Sequence, residues 1–334
     1  MLSLVRFSLA ARAASIALTQ TDCVRFLRIF TLISVAVTTA WSSPLLASDD
    51  NSAATQSTIA GTVGGAISDR TKDEKLGAFN PYLITAHKHN FFMPLSYTTN
   101  VNESAYELQN APDNLTYKPY EVNFQISLKS QVNQGKLLFE GDALYFGMTL
   151  ESWWQLYNSP LSSPFRETNY QPEVFYTTPL AWRPLSGKSA LVFGLEHQSN
   201  GQLQGLSRSW NRIYAQLIYE RKPFVFSLKP WYRIPESEKQ SPQDAEGDDN
   251  PDIKTYFGSG EIAIGWKNSI FELLSTTRYN SSSKKGAVDT TLTFPLFGRF
   301  RGMVHYFNGY GDSLIDYNRF QRRFGFGVAL TNLL

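Results

Sequence analysis

From Asn90 to Leu333 the chain repeats one pattern. Stretches of about ten residues alternate apolar and polar side chains and are parted by turn residues. A period of two is the signature of strands with one apolar face. The stretches fall at Asn90–Tyr97, Glu121–Lys129, Ala143–Trp154, Gln171–Trp182, Ala190–Ser199, Trp210–Glu220, Phe224–Ile234, Thr255–Trp266, Ser269–Tyr279, Ala287–Phe297, Phe300–Gly309 and Arg322–Leu333. That is about twelve strands, and the fold class is all-β and antiparallel. The alternation is plainest near the C-terminus. Phe324, Phe326, Val328 and Leu330 share one face, and Gly325, Gly327, Ala329 and Thr331 share the other.

Alternation does not say which face is inside. A soluble sandwich or a small ligand-binding barrel buries the apolar face, whereas an outer-membrane barrel turns it to lipid. Three features favour the membrane. The strands exceed the usual length of about five or six residues. Trp153, Trp154, Trp210, Trp231 and Trp266 fall near strand ends, where interfacial aromatic girdles lie. An export signal precedes the strands. The expectation is a transmembrane antiparallel β-barrel of about 12 strands over residues 79–334. Such barrels often end in an aromatic residue, whereas this chain ends in Leu334.

The export signal is read from the first 48 residues. Arg25 and Arg28 precede the apolar run Ile29–Ala40, and small residues follow up to Ser48. That run is too short to span a bilayer as a helix. Cleavage near Ala47 or Ser48 leaves a polar segment, 49–78, ahead of the barrel. Removing the leader takes four of the 31 basic residues (Arg6, Arg12, Arg25, Arg28) and one of the 29 acidic ones (Asp22), leaving 27 against 28. A nearly neutral chain argues against nucleic-acid binding. The one cysteine, Cys23, leaves with the leader, which excludes a cysteine nucleophile and cysteine-based metal sites.

Lys188–Glu220 reads as two strands and a loop. Leu191, Phe193, Leu195, His197 and Ser199 share one face of the first strand. Asn211, Ile213, Ala215, Leu217 and Tyr219 share one face of the second. His197, Ser199 and Asn211 therefore continue the apolar faces, at the ends nearest the loop. A hydroxyl, an imidazole and a carboxamide there are the parts of a Ser-His-Asn hydrolase. Ser199 is placed to attack, His197 to take its proton, and Asn211 to hold the His197 tautomer. A polar hairpin end also collects Ser, His and Asn by chance, and alternation alone leaves both readings open. Gly201 follows, and lacks the side chain that would keep a backbone amide from an oxyanion. It also suits an ordinary turn. Three other groups take bland readings. His87 and His89 are read as surface polar residues beside the first strand. The acidic stretch Glu236–Asp252 lacks Ca²⁺-loop spacing and is read as a solvated loop. Inward-facing charges are expected to pair within the barrel.

His-Gln-Ser-Asn-Gly (197–201) followed by Ser-Arg-Ser-Trp-Asn-Arg (207–212) resembles the signature of the outer-membrane phospholipase A family. SWWQL (152–156), SSPFRETNY (162–170), KPWY (229–232), DNPDI (249–253) and GYGDSLIDYN (309–318) match it as well. The resemblance implies hydrolysis of acyl esters of phospholipids at both acyl positions, and of lysophospholipids, by Ser199, His197 and Asn211. It implies that the Gly201 amide belongs to the oxyanion hole. It implies Ca²⁺ held by the Ser207 hydroxyl, the Gln202 carbonyl and Ser162 of a second copy, so that the active form is a homodimer. Gln202 and Gln204 stand where well-known members carry Arg and Asp; a backbone ligand tolerates the first change, and the second removes a carboxylate beside the loop. With a periplasmic N-terminus the fifth strand rises into Ser199, which puts the site at the extracellular rim facing lipid. The rival expectation is a non-catalytic porin or adhesin barrel.

Overall fold

A computed structural model of the protein describes residues 84–103, 116–241, 244 and 246–334. The expected leader and the polar segment 49–78 lie outside the described residues. Thirteen strands are present among them: β1 (Ile84–Ala86), β2 (Phe91–Thr98), β3 (Tyr120–Gln131), β4 (Ala143–Trp154), β5 (Glu167–Leu180), β6 (Lys188–Ser199), β7 (Ser209–Arg221), β8 (Phe224–Ile234), β9 (Gly260–Lys267), β10 (Glu272–Asn280), β11 (Lys285–Pro295), β12 (Arg301–Tyr310) and β13 (Phe320–Ala329). Each of β2–β13 pairs antiparallel with its chain neighbour, and β13 pairs back onto β2. Twelve strands thus close a barrel with no free edge. Closure is what a bilayer demands, because lipid offers no partner for an unpaired backbone. β1 pairs with the far end of β3, Ile84 opposite Ser130, so the first barrel strand is broken over residues 87–90.

The apolar face is outside. Leu195 and Ile213 are each 53% exposed, while Glu196 between β6 neighbours is 1% exposed and Arg323 on β13 is 1% exposed. A soluble protein buries the first kind of residue and exposes the second. Here the solvent of the outer surface is hydrocarbon. Among the described residues no helix is long and apolar enough to cross a membrane, so the crossing is made by strands.

The interior is packed with paired charges. Glu121 accepts from Arg166 and Arg323, and Arg166 reaches Asp316 at 3.1 Å. Glu196 pairs with Arg212 and, at 3.3 Å, with Lys229. Asp312 pairs with Arg323 at 2.6 Å. Asp312 and Asp316 belong to the β12–β13 connection, which is thereby tied into one end of the barrel, here termed the upper rim. Leu314 from that connection packs there with Ile253 and Phe257 of the short helix α1 (Ile253–Phe257), on Trp210 and Trp231, and Ile315 beside it is buried.

Four expectations change. Thr255–Phe257 is helical, and the strand begins only at Gly260; Phe257 stacks edge-on against Trp210 at 5.5 Å, and that burial wins over alternation. Trp153, Trp210 and Trp231 are buried inside, whereas Trp154 and Trp266 follow the outward positions; one step along a strand switches faces, as between Trp153 and Trp154. His87 and His89 are not on the outer surface. The break after β1 turns His87 inward, where its Nε2 meets Glu173 Oε1 at 2.7 Å and its ring stacks on Phe175. The final strand stops at Ala329, and Leu333 and Leu334 fold into the opposite, lower end, packing on Val225 and Leu274.

Candidate active site

Backbone register brings the candidate residues together. In the β6–β7 hairpin His197 stands opposite Asn211, and Ser199 opposite Ser209. The pairing Leu195–Ile213 just below shows that this column faces outward. His197, Ser199 and Asn211 are each half-buried. His197 Nδ1 lies 2.9 Å from Asn211 Oδ1. The carboxamide oxygen can only accept, so the proton sits on Nδ1 and the Nε2 lone pair is left for another group. Ser199 is two residues further along the same face. Among the described residues its hydroxyl makes no hydrogen bond, so its approach to His197 rests on that shared face. Nucleophile–base contacts are often loose before substrate binds.

The connection 200–208 is held by Asn200, which is buried. Its Oδ1 accepts from Arg208 N at 2.9 Å and from Gln202 N at 3.4 Å, and its Nδ2 donates to Leu206 O at 2.8 Å. One carboxamide thus ties the turn across itself directly after Ser199. Gly201 sits in that turn at φ +62°, where a side chain is strained. A Cβ there would also meet the Tyr170 ring at 3.3 Å. Tyr170 is the cross-strand neighbour of Ser199 on β5 and is 37% exposed. It lies beside the serine on the outer face.

The residues singled out for a metal lie at the same rim and are less closely gathered. Ser207 Oγ donates to Asp249 Oδ2 at 2.6 Å, and Asp249 also pairs with Lys239. Gln202 is half-buried in the turn. Ser162 lies on the β4–β5 connection, donating to Ser159 O at 3.1 Å, while its own carbonyl accepts from Trp154 Nε1 at 2.7 Å. Among the described residues no three His, Cys, Asp or Glu side chains form a cluster, so a cation here would rely on hydroxyl and carbonyl oxygens.

Two neighbours were not expected from the sequence. Tyr170 belongs to a motif with no role assigned to it from the sequence, although its odd–even position on β5 puts it outward. Glu236, expected at the start of a solvated loop, instead reaches the site. Its Oε1 accepts from Asn211 Nδ2 at 3.0 Å. The signal for it was present, since Glu236 continues the outward column of β8, Tyr232 and Ile234, by one more step.

Comparison with known proteins gives the family. The family model for phospholipase A1 matches residues 67–330. A relative from Neisseria meningitidis serogroup B is 36% identical over 265 residues, 75% of this chain and 66% of its own length. The solved structure of an active-site mutant of Escherichia coli outer membrane phospholipase A, an asparagine replaced by alanine, is 33% identical with TM-score 0.68, covering 76% of this chain and 94% of that one. A Salmonella typhi outer membrane phospholipase, solved as a dimer with bound calcium, is 34% identical with TM-score 0.68 over the same shares. The closed barrel and matches over three quarters of the chain agree: the chain belongs to the phospholipase A1 family of outer-membrane β-barrel ester hydrolases.

Proposed function

We propose that the protein hydrolyses acyl esters of phospholipids, at both acyl positions and in lysophospholipids, with Ser199 as nucleophile, His197 as general base and Asn211 as its orienting partner. The observation that carries this is the His197–Asn211 hydrogen bond on the lipid-facing side of a closed barrel. An ester hydrolase whose nucleophile faces hydrocarbon can meet only a lipid. The asparagine mutant of the E. coli relative, described as an active-site mutant, supports the role of Asn211. The longer connections lie at the rim that carries Ser199, among them the 25 residues from Pro235 to Ser259, while β7 and β8 are joined at the lower rim by Lys222 and Pro223 alone. Outer-membrane barrels keep their long loops outside the cell, which supports an extracellular rim for the site.

The proposed chemistry uses the Nε2 of His197 that the Asn211 contact leaves free. His197 Nε2 accepts the Ser199 hydroxyl proton as Ser199 Oγ bonds to the ester carbonyl carbon. The carbonyl oxygen takes the electron pair and turns to the Gly201 amide. The C–O bond to the glycerol oxygen then breaks, and His197 returns its proton to that leaving oxygen. A water molecule deprotonated by His197 releases the fatty acid from Ser199. An unassisted serine hydroxyl is a poor nucleophile, so each step depends on His197 holding its proton on Nδ1 between transfers.

The calcium dependence is part of the same reading, and the calcium-bound dimer of the S. typhi relative supports it. The donor chemistry fits. Ser207, the Gln202 carbonyl and Ser162 from a second copy offer hard oxygens of the type Ca²⁺ takes. Ser207 donates its one proton to Asp249, which leaves its oxygen lone pairs free and a carboxylate close by. When bound, calcium would supply positive charge to offset the negative charge that develops on the ester oxygen. Two copies are needed to complete this ligand set, so dimerisation is the switch.

The direct test is labelling with a serine-reactive sulfonyl fluoride. Modification confined to Ser199, stimulated by calcium and lost in His197→Ala, is the expected result. Solute flux through the barrel with Ser199 unlabelled would turn the reading toward a porin.

A further inference from the structure

β8 carries its outward alternation past its own end. Phe224, Phe226, Leu228 and Tyr232 are exposed on that face, and Ile234 stands opposite Asn211. Two residues on, Glu236 keeps to the same side and accepts from Asn211 Nδ2 at 3.0 Å. Among the described residues it makes no ion pair. A carboxylate at the edge of a hydrocarbon-facing column carries a desolvation cost, and here its only recorded side-chain partner is the candidate orienting residue.

We propose that Glu236 is a positioning residue that sets the tautomer of His197 through the Asn211 carboxamide. The inference rests on the Ser199–His197–Asn211 reading above. Asn211 has one donor end and one acceptor end. A carboxylate only accepts, so the Nδ2 end must face Glu236 and the Oδ1 end must face His197. Oδ1 in turn accepts only, so His197 must hold its proton on Nδ1. Nε2 is then free to take the Ser199 proton. Glu236 also adds a negative charge at the end of the relay. Asn211 alone cannot offer that charge to the imidazolium that forms when His197 accepts a proton. The net arrangement is an aspartate-like partner divided between two side chains.

The test compares wild type, Glu236→Gln and Glu236→Ala in detergent micelles, each checked for heat-modifiable gel mobility. Gln keeps the size of the side chain but offers both a donor and an acceptor, so either orientation of the Asn211 amide becomes possible. The readouts are turnover of a phospholipid in calcium and the ¹⁵N–¹H imidazole spectrum of ¹⁵N-histidine-labelled protein, with His197 signals assigned by their loss in His197→Ala. The expected result is a single Nδ1–H tautomer in wild type and mixed tautomers in both variants. With it, kcat falls roughly tenfold to a hundredfold while KM changes little. Either readout staying at the wild-type value in Glu236→Gln overturns the proposal. Ser199→Ala, assayed alongside, separates the two claims. Activity in Ser199→Ala would remove the catalytic reading itself. An inactive Ser199→Ala beside an unaltered Glu236→Gln would remove only the role of Glu236.

Discussion

His197 Nδ1 lies 2.9 Å from Asn211 Oδ1, across the β6–β7 hairpin, on the face of the barrel that meets lipid. The pair is built by register alone. The two residues are direct cross-strand partners, and side chains so placed have Cβ atoms about 4.5–5.5 Å apart. No long loop has to fold to bring them together. Ser199 is then fixed by period two along β6, and Gly201 by the turn that Asn200 holds.

Substitutions in this set are expected to separate by role. Ser199→Ala and His197→Ala should each lower turnover by at least about a thousandfold, since on the proposed mechanism one removes the nucleophile and the other its base. Asn211→Ala should cost less, because orientation is lost while the base remains. All three should keep heat-modifiable mobility. Steady-state turnover of a phospholipid in mixed micelles is the measurement.

The outward face is tested by charge. Phe193 is 49% exposed midway along β6. Phe193→Arg should destabilise the inserted barrel by about 2–4 kcal/mol, the cost of a cation near the bilayer midplane. Gln216 lies on the inner side of β7 and donates to Ser227 Oγ at 2.8 Å. Gln216→Ala should cost about 1 kcal/mol, one hydrogen bond. Unfolding of the refolded barrel in lipid vesicles would show the difference, and the reverse order would mean the faces are exchanged.

The proposed metal site, shared between two copies, makes a prediction about mixtures. Ser207→Ala and Ser162→Ala should each weaken calcium activation, while Gln202→Ala should activate almost normally because only its carbonyl is used. A refolded mixture of the first two contains heterodimers with one intact ligand set and one lacking both serines. Turnover per heterodimer should recover to about half of wild type if the two sites act independently. Crosslinking counts the heterodimers. Abundant heterodimer without recovery would contradict a site shared between copies.

A pH dependence is expected at the lower rim. Asp142 Oδ1 accepts from Leu137 N at 2.8 Å, and Oδ2 accepts from Leu138 N at 2.7 Å, Phe139 N at 2.8 Å and the Tyr176 hydroxyl at 2.7 Å. Burial works against the charged form, but these donors outweigh it and hold the carboxyl well below the usual carboxylate range. A depressed folded-state value stabilises the fold in full above the unfolded value of about 3.9, and the benefit is lost as pH falls through the folded value. Urea unfolding should therefore find Asp142→Asn less stable than wild type at neutral pH. The gap should narrow in acid below that unfolded value, and a gap independent of pH would contradict the assignment.

The barrel and the outward column of the site were legible in the sequence because both depend on period two. Leu195, His197 and Ser199 needed only counting. Where a contact is made by tertiary packing, counting failed. Thr255–Phe257 alternates well enough to pass for a strand, but Phe257 is drawn onto Trp210 in the mouth of the barrel, and five residues coil to allow it. His87 lies in the break of the first strand, and nothing in its local sequence says that Glu173, on β5, awaits it inside. Glu236 is the opposite case. Alternation along β8 pointed to it, and the acidic residues that follow concealed it as part of a solvated loop.

The proposed activity is cleavage of phospholipid esters by Ser199 on the lipid-facing rim of a calcium-dependent dimer. It is tested most directly by fatty-acid release from a defined phospholipid by the purified, refolded protein, with calcium and with EDTA, beside Ser199→Ala. The expected result is release with calcium, loss of release with EDTA that added calcium restores, and none from Ser199→Ala under either condition. Equal release with EDTA, or release by Ser199→Ala at the wild-type rate, would contradict it.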